Sequence, residues 1–268
     1  MVGFVDEPFR DGPQSLWATR MKTGHMLGAT QWMNRAGFRK VCVTSGAAFE
    51  TAVRFLRDDP WERMRLLKAH MPDATIDVLM RSRNLFGWAR YPDEVVEVLF
   101  RCLQQAGTEW IKVFDGLNCM RNIAAHFRIA RSLGLKTSGM LSFSVSRAHT
   151  DEHYVDKAME LIGYGADSIT LADPAGILTG ARARVLLAAL KAAVHRRVPI
   201  EFIAHDCMGL AHASHREALQ AGVDTVATAS APLANGESVP GTLDILELAQ
   251  KLGVPAALDA GALRRIDD

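Results

Sequence analysis

Eight short β-branched or apolar runs, separated by longer amphipathic stretches, restrict what this 268-residue chain can fold into more than any other feature. The runs are GFVDE near residue 3, KVCVTS near 40, TIDVLMR near 75 and WIKVFDG near 110. TSGMLSFS near 137, SITLADP near 168, IEFIAHD near 200 and TVATAS near 225 complete the set. Between them apolar residues recur at helical spacing, as Val95, Val96, Leu99, Phe100 and Leu103 do within 93–107. The stretches 154–166 and 215–224 repeat that pattern and close at a glycine, which suits a helix C-terminus. Thr150 and Asp151 offer an N-cap for a helix entering at about Glu152. The alternation predicts an α/β chain folded as a single (β/α)8 TIM barrel, and an open doubly wound sheet fits the same strand count. No Pro/Ser-rich linker or low-complexity segment divides the chain, so one domain is expected over 1–268.

Composition narrows the class of partner. Hydrophobic residues make up 49% and charged ones 23%, enough for a large core. A net charge of +1 without a long basic run gives no electrostatic basis for binding nucleic acid or an acidic membrane surface. No run approaches the roughly 20 apolar residues a membrane span needs. The start, MVGFVDEPFRDG, carries acids where a signal peptide carries a positive start and an apolar run. Cys42, Cys102, Cys119 and Cys207 show no CxxC spacing and read as free thiols, so a cytoplasmic location is expected.

In a barrel of this kind the strand C-terminal ends and the loops after them build the site. The polar residues falling there are Asp6, Asp11, Ser45, Arg81, Asp115, Ser142, Ser144, Asp173, His205, Asp206 and Ser230.

Several long motifs along the chain carry a resemblance. FRDGPQSLWATRM (9–21), RFLRDDPWERMRLL (54–67), LMRSRNLFGWARYPDEVV (79–96) and VFDGLNCMRN (113–122) resemble the biotin-dependent carboxyltransferases. LADPAGILT (171–179), AHDCMGLA (204–211) and PLANG (232–236) extend the likeness nearly end to end. The wider superfamily includes hydroxymethylglutaryl-CoA lyase and isopropylmalate synthase, toward which the RDG form of the first motif leans. The resemblance implies a barrel whose mouth holds a divalent metal and a 2-oxo acid such as pyruvate. Carried over by motif, Asp11 and His205 are metal ligands and catalytic residues, while Gln14 and Arg81 hold the substrate. Such residue types suit the chemistry, because an Arg fork pairs two hydrogen bonds with a carboxylate and cationic groups stabilise an enolate.

Three departures accompany the likeness. The family's metal-binding lysine aligns with Ala172, and the first His of its HxH pair aligns with Ile203. Glu237 stands where the carboxyltransferases have a threonine that relays a proton. Asp206, Cys207, His212 and Glu237 are candidate replacement ligands that would favour a softer ion such as zinc, and Asn235 belongs to the PLANG turn.

The expected function is therefore a carbon–carbon lyase or carboxyltransferase-like enzyme acting on a 2-oxo acid with a degenerate metal site. Biotin is not expected in its usual role, since carboxyltransferases continue into a further helical region and work with a biotin carrier. A non-catalytic binding or scaffold subunit of a larger complex, or a metal-dependent aldol-type enzyme with replacement ligands, fits the same motifs. A homodimer is implied by resemblance only. Each residue also has a purely architectural role open to it. Arg81 pairs with Asp115, Asp11 and Gln14 cap a loop, His205 packs, Cys207 is a buried thiol, and His212 and His215 are surface or packing residues. Trp61 and Trp88 anchor the core.

Overall fold

The computed structural model describes residues 1–194 and 197–268. Its eight strands are β1 (Gly3–Asp6), β2 (Lys40–Ser45), β3 (Ile76–Arg81), β4 (Trp110–Phe114), β5 (Lys136–Ser142), β6 (Ser168–Asp173), β7 (Ile200–Ala204) and β8 (Thr225–Thr228). They close in sequence order, each parallel to its neighbours, with β8 returning to β1. All eight anticipated runs are strands, and closure excludes the open sheet.

Helices between the strands cover the outside of the barrel. In Asp93–Gln105 the residues Val96, Leu99, Phe100 and Leu103 are buried, as their spacing requires. Thr150 caps the helix Asp151–Tyr164 by accepting from His153 N at 3.2 Å, and Gly165 ends it in the left-handed conformation. A cap of this kind contributes about 1 kcal/mol. The helix expected from 215 begins a turn earlier, at Ala211.

Strand alternation sorts the barrel interior into layers. One ring takes a side chain from every strand: Val5, Cys42, Leu79, Phe114, Met140, Ala172, Ile203 and Ala227. Two residues earlier along the strands lies a polar layer containing Lys40, Asp77, Lys112, Ser138, Thr170, Glu201 and Thr225, all buried. Lys112 Nζ, fully buried, sits 2.5 Å from Glu201 Oε1, 3.4 Å from Asp77 Oδ2 and 3.5 Å from Glu7 Oε1. Lys40 Nζ reaches Glu201 Oε2 at 2.8 Å. These contacts pull the Glu201 carboxyl down to about 2 against the opposing effect of burial. The mouth lies above the apolar ring, at the C-terminal ends of the strands.

Candidate active site

Two groups of polar side chains face each other across the mouth, one at β3 and one at β7. The six-residue helix Asp11–Leu16 after β1 touches both, because Asp11 and Gln14 lie three residues apart on one side of it.

The first group surrounds a cavity of about 50 Å³ lined by Gln14, Ser45, Gly46, Ala47, Leu79, Arg81 and Phe114. Arg81 ends β3, donates from Nη2 to Gly87 O at 2.7 Å and lies 4.4 Å from the centre of the Trp88 ring. Its buried Nε has no hydrogen-bond partner among the described residues, so the guanidinium keeps a donor for a ligand. The loop beyond Arg81 is held in strained backbone, with Ser82 at φ 38° and Leu85 at φ 48°. His126 Nε2 lies 3.0 Å from Ser82 O and fixes the loop from outside. On its other side, a Cβ at Gly46 would lie 1.9 Å from Leu85 O, so only glycine permits this approach.

The second group is a run of charges. Glu7 Oε2 pairs with Arg10 Nη2 at 2.6 Å, and Arg10 Nη1 donates to Asp11 Oδ1 at 2.7 Å. Asp11 Oδ1 also faces His205 Nε2 at 3.2 Å. Ser15 Oγ and Ser238 Oγ donate to Asp11 Oδ2, each at 3.4 Å. Burial alone would raise the Asp11 carboxyl, but Arg10 and His205 overcome it and hold it below the usual carboxylate range. For His205 burial works downward, and the contact with Asp11 outweighs it to leave the imidazole raised. Through Glu7 and Lys112 this run continues into the polar layer below.

A divalent ion does not fit these residues. Ala172 and Ile203 are neighbours across β6 and β7, are 1% and 2% exposed, and belong to the apolar ring. Asp11 is saturated by Arg10, His205 and two hydroxyls, whereas a hard cation needs about six oxygen-rich ligands. Among the described residues no group of three or more His, Cys, Asp or Glu side chains is placed to hold a metal. The replacement ligands do not gather. Asp206 Oδ1 accepts from Ala211 N at 3.0 Å, while Cys207, His212 and Glu237 are exposed.

Other expectations need correcting. Asp173 is tied into its own loop, where its Oδ2 accepts from Leu178 N at 2.6 Å; its Oδ1 is buried with no partner among the described residues, and burial raises its pKa. Asp6 is buried without a partner for either oxygen among the described residues, and burial beside Glu7 raises it well above the carboxylate range. Asp115 does not pair with Arg81 but caps its own loop, accepting from Leu117 N, Cys119 N and Asn122 Nδ2. Cys207 is exposed, and its thiol is shifted up by partial burial, the reverse of an activated nucleophile. Trp88 is 77% exposed and stacks on Arg81 at the rim, while Trp61 packs against the core as anticipated. His215 is a buried packing residue. Three residues of the site escaped sequence reading: Arg10, Glu7 and Ser238. Arg10 and Glu7 stand in the FVDEPFRDG motif, where the acid and the base three residues apart on a tight turn were the signal.

Larger cavities lie elsewhere, among them one of about 270 Å³ lined by residues such as Arg39, Lys40, Trp110 and Thr225 and a surface one of about 460 Å³ lined by residues such as Phe49, Val53 and Trp61. The first sits at the N-terminal ends of the strands, where barrels of this kind carry stability rather than chemistry.

The closed barrel and the Arg81–Gln14 mouth define a carboxyltransferase-like (β/α)8 barrel. The chain belongs to the HMGL-like family, which it matches over residues 100–267. It is 36% identical over 268 residues to a pyruvate carboxylase subunit of Methanocaldococcus jannaschii, covering 100% of this chain and 47% of that protein. It is 34% identical over 267 residues to the methylmalonyl-CoA carboxyltransferase 5S subunit of Propionibacterium freudenreichii subsp. shermanii, covering 100% and 53%. The carboxyl transferase domain of Rhizobium etli pyruvate carboxylase, solved with pyruvate and biocytin, superposes with a TM-score of 0.94 at 32% identity, covering 99% of this chain and 46% of that one. The chain thus spans about half the length of the curated relatives it matches. No helix among the described residues is long and apolar enough to cross a membrane.

Proposed function

We propose that this barrel binds a small 2-oxo acid of the pyruvate or oxaloacetate type and makes or breaks the carbon–carbon bond beside its ketone, by carboxyl transfer or decarboxylation. The observation that carries this reading is the cavity at the end of β3, where Arg81 and Gln14 present donors above Leu79 and Phe114. Arg81 takes the carboxylate, and the Gln14 amide donates to the ketone oxygen. In the decarboxylating direction the bond to the distal carboxyl carbon breaks and carbon dioxide leaves. The electron pair moves onto the ketone oxygen as an enolate, which those donors stabilise. A proton then returns to carbon, and His205, held by Asp11 at the other side of the mouth, is the residue assigned to that transfer. No step is routed through a metal ion, because the donor set does not fit one.

The relatives' names are those of enzymes, and that favours catalysis over the scaffold alternative. A structure solved with biocytin makes that compound the first carboxyl acceptor to try. Calorimetry with pyruvate, and NMR of oxaloacetate consumption with and without biocytin, test the reading. Wild type should bind pyruvate and turn over oxaloacetate, and Arg81→Ala should lose both. Binding that survives Arg81→Ala, or no binding by wild type, would overturn it.

A further inference from the structure

We propose that Ser45 is a positioning residue that turns the Gln14 amide so that its N–H groups face the cavity, which selects 2-oxo acids over plain carboxylates. This rests on the reading of the cavity as a 2-oxo acid site.

Ser45 ends β2, is 4% exposed and caps the helix Gly46–Thr51. Its Oγ accepts from Ala48 N at 3.1 Å and donates to Gln14 Oε1 at 2.7 Å. A hydroxyl has one proton, and among the described residues Gln14 is the only acceptor that takes it. Exchanging the oxygen and nitrogen of the Gln14 amide would strand that proton, so the hydrogen-bond inventory assigns Oε1 to Ser45. With Oε1 capped, both N–H groups of Nε2 remain unpaired among the described residues, beside the unpaired Nε of Arg81. The side-chain groups left for a ligand here are then donors. A carboxylate satisfies Arg81, and only a ligand with a second acceptor next to that carboxylate also satisfies Gln14. The close approach of Gly46 to Leu85 O locks the Ser45 turn against the Arg81 loop, so the two sets of donors keep a fixed spacing.

The test compares wild type with Ser45→Gly and Ser45→Thr. Glycine is tolerated at an N-cap at little cost, and threonine restores the hydroxyl, so both variants should fold. Two measurements are made on each: side-chain ¹⁵N relaxation of the Gln14 amide without ligand, and affinities for pyruvate and propionate. In Ser45→Gly the Gln14 amide should become mobile, and the pyruvate-to-propionate affinity ratio should fall about five- to ten-fold, the worth of one hydrogen bond. Ser45→Thr should restore both, and Gln14→Ala should reproduce the lowered ratio. A Gln14 amide that stays rigid in Ser45→Gly overturns the positioning role, and an unchanged ratio overturns the selectivity. If wild type fails to prefer pyruvate and Arg81→Ala changes nothing, the substrate reading fails with the selectivity, while the relaxation data still decide whether Ser45 holds Gln14.

Discussion

Asp11 Oδ1 lies 3.2 Å from His205 Nε2 and 2.7 Å from Arg10 Nη1, so one buried carboxylate joins the imidazole after β7 to the charges of the β1 loop. The two partners are unequal. Removing the Asp11 charge leaves His205 without its acid and Arg10 with Glu7 alone, whereas removing His205 leaves Asp11 with Arg10, Ser15 and Ser238. Asp11→Asn should therefore cost about 3 kcal/mol, within the range for breaking a buried pair, and His205→Asn clearly less. Urea denaturation of the two variants orders them; equal losses would show that Arg10 does not depend on Asp11.

Lys112 supports the charges from below. It is fully buried against Glu201, Asp77 and Glu7, and without it these three buried acids would keep only Lys40 and Arg10 as counter-charges. Lys112→Met should lose about 3–5 kcal/mol. Adding Glu201→Gln should recover part of that loss, because the acid nearest the missing ammonium is then neutral and Lys40 is left to Asp77. A double variant as unstable as the sum of the two singles would contradict the coupling.

How far the sequence revealed this site depends on which physical signal each residue leaves. Strand period and helix spacing exposed all eight strands, and the order of strand ends pointed to Arg81 and His205, while Gln14 came only from the resemblance of the FRDGPQSLWATRM motif. Alternation along β7 put Ile203 and His205 on one face, and the structure finds Ile203 in the apolar ring. The same rule applied to KVCVTS, TIDVLMR, WIKVFDG and IEFIAHD would have put Lys40, Asp77, Lys112 and Glu201 on the interior face. Each strand contributes only one charge to that layer, so no local pattern announced the cluster, and the pairing exists only once the barrel closes. Asp173 and Asp115 misled for a related reason. A carboxylate at a strand end serves a loop N–H as readily as a ligand, and only loop geometry separates the two uses.

His126 makes stability pH-dependent near the site. Burial pushes its imidazole down to about 4, and Nδ1 is buried with no partner among the described residues. A depressed base binds fewer protons folded than unfolded, so its neutral form contributes fully above about pH 6.5 and that contribution is lost as pH falls toward 4. The loss should reach about 2 kcal/mol between pH 7 and pH 5. His126→Gln places an amide N–H where Nε2 faces Ser82 O and removes the titration, so its stability should fall less over that interval. Parallel pH profiles for variant and wild type would assign the effect elsewhere.

Ile203→His tests what the apolar ring has replaced. The substitution places an imidazole two residues before His205 on the same face of β7, and His205 itself faces Asp11. Three donors are then available, the number a zinc site with an open position requires. Without metal the variant should be less stable than wild type, because a polar ring is buried among Ala172, Met140 and Ala227. Adding zinc should restore stability by about 2.7 kcal/mol at a hundredfold excess over the dissociation constant, while wild type should show no such shift. Arg10 competes with the ion for Asp11, and because that pair is buried the gain should change little with added salt. A variant that folds but shows no zinc-dependent shift would mean that position 203 does not converge with Asp11 and His205 on one point.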